Sequence, residues 1–439
     1  MKRLNTATLD GCLQGAAVKR ILSAALDAAD PAEAVRRYLF RHENLLRVNR
    51  QDYLLDELSA VYLVSIGKAA IPMAGAAVSI LKKWISKGIV VAKQVGEDCL
   101  PESLTVLETS HPIPDNRSVQ AGQRILSLLA QTSSSDLVIF LISGGGSALI
   151  TVPVDGVSLM DMKQLIAKLL GCGAQIDEMN ILRRALDRIK GGGLARAAFP
   201  AQTISLFLSD VVNSPLEAIA SGPTVLNPTT RADALKVLKK YDLLHEVPNT
   251  ILDVLQSDEK PVPDGLFSIG QVLVIGDNFI SAQAAQTQAT YEGFASRILT
   301  TSLQGEAAQI GRELAAYFVK NDEFPACLIL GGETTVTLGS ATGLGGRNQE
   351  LALAAVAELA GLRDVMLVTL ATDGEDGPTD AAGAVVTGET LIRAQFLGLD
   401  AEAHLRRHDS YPFFDALGDL LKPGPTGTNV NDLTFLFAF

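Results

Sequence analysis

The 439-residue chain predicts an α/β protein of two domains, the first built on a mostly parallel sheet with helices on both faces. Three observations carry that reading. Short apolar runs alternate with helical patterns, the rhythm of strand–helix–strand units. The length exceeds the roughly 250–300 residues at which one core stops growing, and 47% hydrophobic residues supply material for two cores. Between about residues 226 and 270 the apolar runs stop, and Pro228, Pro248, Pro261 and Pro263 surround two polar helices. The expected organisation is a first domain over 1–245, a connection over 246–270 and a second domain over 271–439.

The first 50 residues read as two helices, the second opened by Asp30 as N-cap, Pro31 at the first helical position and Glu33 as capping partner. Strands are expected at 61–65, 88–92 and 104–108, a helix over 115–130, and fully buried strands at 137–142 and 203–208. In the second domain, strands are expected at 272–275, 295–299, 326–330, 334–338 and 365–370, with helices after the first, second, fourth and fifth. The last apolar run, 433–439, can return to either domain.

A formal net charge of -12 excludes nucleic acid or an anionic membrane as the main partner, since polyanions demand a basic face. A small anionic ligand would need a local island of Lys, Arg, helix N-termini and divalent metal. Cys12, Cys99, Cys172 and Cys327 are scattered without a C-x-x-C pair, which points to reduced thiols and a cytoplasmic location. Nothing approaches the ~18 apolar residues of a membrane span. The sequence leaves the oligomer open, a homodimer being one option.

Three glycine clusters mark places where backbone must approach an anion: Ser143-Gly144-Gly145-Gly146-Ser147, Lys190-Gly191-Gly192-Gly193 and Gly343-Leu344-Gly345-Gly346-Arg347. No P-loop pattern is present, and Gly144, Gly146 and Leu149 break the dinucleotide spacing at its third position. The first cluster follows the strand 137–142, at the end where open α/β sheets bind ligands; a plain tight turn is its competing reading. Lys68 follows the strand 61–65 beside Gly67, and a solvated lysine competes equally there. A C-cap explains one glycine of 191–193, while Arg183 and Arg184 read as a solvated face. Asp210, after strand 203–208, stands where a carboxylate can hold magnesium or accept a hydroxyl proton, with a helix N-cap as the alternative. Glu333 and the acidic loop from Asp373 to Asp380 are further strand-end carboxylates. Arg347 opens a helix with Asn348, suited to carboxylate or phosphoryl oxygens. No Ser/His/Asp triad or zinc motif emerges, and His111 sits in a stiff proline loop.

In combination, Ser65-Ile-Gly-Lys68-Ala, His111-Pro-Ile-Pro-Asp115, Ser143-Gly-Gly-Gly-Ser-Ala148, Lys190-Gly-Gly-Gly193, Gly331-Gly-Glu-Thr334, Gly345-Gly-Arg-Asn-Gln-Glu350 and Asp373-Gly-Glu-Asp-Gly377 resemble the type II glycerate kinases. The C-terminal segment resembles that family's MOFRL domain. The resemblance implies a Rossmann-like three-layer N-terminal domain, a smaller α/β C-terminal domain and an active site in the interdomain cleft. It also implies phosphorylation of D-glycerate, generally at the 2-hydroxyl, by ATP with Mg2+ or another divalent cation. By motif, Lys68, Asp210 and Arg347 match the catalytic residues. The two glycine triples, with Ser143, Ser147, Lys190, Gly345, Gly346 and Asn348, would bind substrate and phosphate. Asp210, Glu333, Asp373 and Asp432 would furnish metal ligands. Two departures stand out: Ala185-Leu186-Asp187 replaces a frequent His-Leu-Ser, and Val212-Asn213-Ser214 replaces a more acidic segment near Asp210. The rival readings are a hydroxypyruvate reductase using NADH or NADPH and a non-catalytic anion sensor.

Overall fold

The computed structural model describes residues 4–96, 100–258, 265–267, 270–319 and 325–439; Cys99, Pro261 and Pro263 lie outside them. The chain forms two compact units, Pro31–Ile275 and the pair of segments Met1–Asp30 and Gly276–Phe439. This division departs from the expected one at both ends of the first domain.

In the first unit, β1 (Leu39–His42), β2 (Leu45–Val48) and β3 (Gln51–Leu54) make a small antiparallel sheet, β1 and β2 lying where helix was expected. Its two-residue turns explain the difference, because Glu43 and Asn49 take φ of 52° and 55°, the left-handed geometry that tight hairpins require. The main sheet comprises β4 (Ala60–Ile66), β5 (Ile85–Ala92), β6 (Leu104–Glu108), β7 (Asp136–Ser143), β8 (Gln202–Leu208) and β9 (Gly270–Gly276), in the order β6-β5-β4-β7-β8-β9. From β4 to β8 every pairing is parallel. All of β7 is buried, as a central strand covered on both faces must be. Val64, Ile66, Val138, Phe140 and Ile142 share one core with Ile125 and Leu129 of the helix Asn116–Leu129, which Asp115 caps. β9 was expected to open the second domain. It extends the first sheet instead, with Gly270 so close to β8 that a Cβ there would fall 2.2 Å from Thr203 Oγ1.

The second unit takes its first helices from the N-terminus. Val18, Ile21, Leu22 and Leu26 share a core with Ala282, Ala285, Phe435 and Phe437, so apolar pairing assigns residues 4–30 to this unit against the expectation of 1–245. Its sheet comprises β10 (Ala295–Leu303), β11 (Ala326–Gly332), β12 (Val365–Ala371), β13 (Gly383–Thr387), β14 (Leu420–Leu421) and β15 (Asp432–Ala438), in the order β10-β11-β15-β12-β13-β14. The terminal strand β15 lies antiparallel between β11 and β12 at the sheet's centre. Residues 334–338 form no strand: Thr335 makes a single bridge to Glu306, and Thr337 turns its hydroxyl to the Glu306 carboxylate. Among the described residues, no helix is long and apolar enough to cross a membrane.

Candidate active site

The order of the main sheet reverses between β4 and β7, the position at which open α/β sheets bind ligands. Backbone bonds stitch together the loops leaving these two strands. Lys68 N–H donates to Gly144 O at 2.9 Å, and Ala69 N–H donates to Ser143 Oγ at 3.1 Å. Gly67 permits this approach with φ 127°, since a Cβ would fall 2.1 Å from Ser143 Oγ. Ser143 is thereby buried and committed to loop structure.

Beyond Ser143 the chain turns through Gly145 at φ 80° into the short helix Gly146–Leu149. Among the described residues, no acceptor takes the N–H groups of Gly144, Gly145, Gly146 or Ser147. Four consecutive unspent amides are the kind of donor set that an anion would engage. Side chains close on the same turn. A Cβ on Gly144 would fall 1.9 Å from Asp210 Oδ2, and one on Gly145 would fall 3.1 Å from both Lys68 Cγ and His111 Nε2. Asp210 arrives from the end of β8, Lys68 from β4, His111 from beyond β6 and Lys93 from β5. Burial, then the charges of Lys68 and Lys93, lower the His111 pKa from its ordinary value and favour the neutral imidazole. Parallel strands thus deliver cations, an imidazole and one carboxylate to a single edge. The sequence reading gave His111 no role and missed Lys93; the available signal was position, just past the C-terminal end of a parallel strand.

Lys190 and Gly191–Gly193, expected to bind phosphate, are otherwise occupied. Lys190 is 3% exposed, and its ammonium donates to Ser147 O at 2.9 Å and Ile150 O at 3.0 Å and lies 3.2 Å from Asp187. Asp187 in turn accepts from Thr151 Oγ1 at 2.5 Å, Ile189 N–H at 2.9 Å and Val152 N–H at 3.3 Å. Gly191 N–H goes to Ser221 O at 3.0 Å and Gly192 N–H to Gly222 O at 2.8 Å. Lys190 therefore props the glycine loop from its buried side. Arg184 is no solvated side chain either: it is 8% exposed and donates to Glu217 O and Thr229 Oγ1.

The remaining expected residues lie in the other unit. Arg347 starts the helix Arg347–Leu359 and donates to Glu333 Oε1 at 2.5 Å and to Asp432 at 2.6 and 3.2 Å. Asn431 Nδ2 adds a bond to Glu333 Oε2 at 3.0 Å. Burial pushes the Asp432 carboxyl up to about 7, with the hydrogen bond and charge of Arg347 opposing it. Two expected metal ligands are thus engaged by a guanidinium. Asn348 is buried, and with Gln349 it gives its N–H to Asp376, which caps the helix at the place where an anion was expected. Gly346 packs against that same Asp376 and Gly345 against Ser410. Asp373 Oδ1 accepts from Glu375 N–H at 3.2 Å. Among the described residues, no three His, Cys, Asp or Glu side chains gather as a metal site. A groove of about 890 Å3 in this unit, between the helices Ala7–Gly11 and Thr390–Phe396, holds none of these groups.

A family model described as a domain of unknown function, DUF4147, matches residues 17–256, and the MOFRL family model matches residues 326–432. A D-glycerate 2-kinase of Thermotoga maritima is 40% identical over 420 residues, covering 94% of this chain and 95% of that protein. The chain belongs to the type II glycerate kinase family. A glycerate 2-kinase of Pyrococcus horikoshii is 38% identical over 426 residues, covering 94% of this chain and 95% of its own length. The fold agrees: a crystal structure of a glycerate kinase from Thermotoga maritima superposes with a TM-score of 0.87 at 38% identity, covering 97% of this chain and 99% of that one. Lys68, Asp210 and the 144–147 turn of this glycerate kinase family member therefore sit on a scaffold shared with solved relatives.

Proposed function

We propose that this chain transfers the γ-phosphoryl group of ATP to the 2-hydroxyl of D-glycerate, yielding 2-phospho-D-glycerate and ADP. The observation that supports this reading most is the run of unspent amides from Gly144 to Ser147, set between Lys68 and Asp210 at the sheet's reversal point. Phosphoryl transfer asks the protein mainly to position reactants and stabilise charge on the equatorial oxygens, which amide dipoles and an ammonium do. Asp210 orients the acceptor hydroxyl and takes its proton as the new O–P bond forms and the bond to the β-phosphate oxygen breaks. Lys68 offsets the charge on the transferring group. Arg347 takes part by exchanging Glu333 or Asp432 for a substrate oxyanion.

Magnesium carried by ATP needs only one or two protein carboxylates, and Asp210, at the end of β8 beside Gly144, would supply one. Bound there, the ion would neutralise phosphate charge. Free thiols at Cys12, Cys172 and Cys327 fit work in the reducing cytoplasm.

Phosphorus NMR of a mixture of the protein, D-glycerate and MgATP tests both reaction and regiochemistry. The 2-phospho product is expected; ATP left unconsumed overturns the reading, and a 3-phospho product corrects the acceptor oxygen. Hydroxypyruvate with NADH or NADPH is expected to leave the nicotinamide absorbance unchanged, and a fall would favour the reductase.

A further inference from the structure

Arg183 keeps different company from the protein's ion-paired arginines. Arg20, Arg36, Arg47, Arg117, Arg312, Arg347 and Arg393 each pair with a carboxylate. Arg183 is half-buried in the helix Ile176–Ala185, and among the described residues it has no carboxylate partner. Its one side-chain hydrogen bond runs to Asn180 Oδ1 at 3.1 Å. Burial lowers its pKa with no anion opposing the shift. A guanidinium taken partly out of water without a counter-charge carries a desolvation cost that an incoming anion would relieve.

The surroundings lead back to the glycine loop. Asn180, 6% exposed, also accepts from Ser221 Oγ at 3.5 Å, and Ser221 Oγ lies 2.9 Å from Ser147 Oγ. Ser147 closes the run of unspent amides. Ser221 is held there by Ala220, Ser221 and Gly222 in succession at φ 51°, 62° and 60°. Two of these are non-glycine residues in the left-handed region, the kind of strain that clusters at ligand sites. The neighbouring Arg184, itself 8% exposed, leaves its Nε–H without an acceptor.

We propose that Arg183, with the hydroxyls of Ser147 and Ser221, forms an oxyanion subsite at the Ser147 end of the glycine loop, apart from the Gly144–Gly145 end where Lys68 and Asp210 converge. This rests on the phosphoryl-transfer reading of the same loop. A planar guanidinium fork with hydroxyl donors suits a carboxylate or a phosphate, so the ligand is the carboxylate of the hydroxy acid or a phosphate of the nucleotide.

Steady-state kinetics of Arg183→Ala, Arg183→Lys and, as control, the exposed Arg188→Ala separate these sources. Arg183→Ala is expected to raise one KM by about tenfold or more, the loss of a charge-assisted hydrogen bond. A rise for D-glycerate identifies the carboxylate, and a rise for ATP the phosphate. Arg183→Lys should recover part of the loss and Arg188→Ala should match the parent. If Arg183→Ala does not fold, Arg183→Lys decides alone, because it keeps charge but not the fork. Both KM values unchanged in the folded variants overturn the proposal. Should the parent protein make no phosphoglycerate, the kinase reading fails by itself. The subsite is then read by calorimetric titration with D-glycerate and with inorganic phosphate. Binding weakened in Arg183→Ala sustains it; equal binding, or none to the parent, overturns it.

Discussion

The glycine triple at 144–146 leaves a parallel strand, whereas the triple at 191–193 leads from a buried Asp187–Lys190 pair into the short helix Gly193–Ala198. The first keeps its amides unspent, while the second gives Gly191 and Gly192 N–H to the carbonyls of Ser221 and Gly222. In the first, Asp210 covers Gly144, Lys68 and His111 cover Gly145, and Ala220 and Ile66 cover Gly146. In the second the glycines are covered by Asn227, Phe267 and the backbone of Arg188. Identical residues thus leave amides open beside polar side chains in one place and serve close approach of the chain to itself in the other. Glycine permits proximity; what becomes proximal is decided by where the preceding element ends.

The strongest way to break this contrast is to remove the lysine beside each triple. Lys190→Ala is expected to cost about 3–5 kcal/mol, because Asp187 stays buried without its counter-charge; denaturant unfolding measures it. Lys68→Ala should leave that unfolding midpoint unchanged and lower kcat by about 100- to 1000-fold. Equal loss of stability in both variants would erase the distinction.

Arg347 tests whether the second unit's cluster is catalytic, structural or both. Arg347→Ala is expected to abolish most activity and also to destabilise, since Asp432 is buried against it. With 29% of the Arg347 side chain exposed, the stability loss should fall below the about 3–5 kcal/mol of a fully buried pair. The loss should depend on pH. A carboxyl whose folded pKa is raised above about 4 favours the fold below that pH, and the benefit disappears as pH rises through the folded value. For Asp432 that value is about 7 in the intact protein and is expected to be higher without Arg347. The unfolding midpoint of Arg347→Ala should therefore fall further behind the parent at about pH 8 than at about pH 5. A gap of equal size at both would detach Asp432 from the effect.

The smallest effect sharpens the comparison at the glycines themselves. Gly191→Ala should cost about 1–2 kcal/mol of stability because its φ is 55°, with kcat near the parent's. Gly144→Ala carries no such φ penalty, yet its methyl would meet Asp210 Oδ2, so kcat should fall with little change in unfolding. Reversed outcomes would exchange the roles of the two triples.

Much of the fold was legible because burial on both faces writes itself locally. The apolar run 137–142 could only be a central strand, and β7 is one. Strand ends were equally legible, which is why the positions of Lys68 and Asp210 just beyond them could be read. The hairpins β1–β3 were not, since Glu43 and Asn49 lack the Asn-Gly or Asp-Gly signature of their turns. Residues 334–338 alternate like a strand, but their hydroxyl side chains satisfy themselves on Glu306 without a second strand. Lys190 beside three glycines looked like an anion site because nothing in its neighbourhood along the chain reveals that Ser147 O and Ile150 O lie above it.

By itself the sequence determined the α/β class, the strand ends that present Lys68 and Asp210, and the family, all properties of short segments whose hydrophobicity and spacing act locally. Tertiary structure alone decided that the first 30 residues join the second unit, that β15 enters the middle of its sheet, and which glycine amides remain available. The reason is that a donor's availability depends on carbonyls dozens of residues away, and that an apolar helix matches any apolar surface until one particular surface covers it.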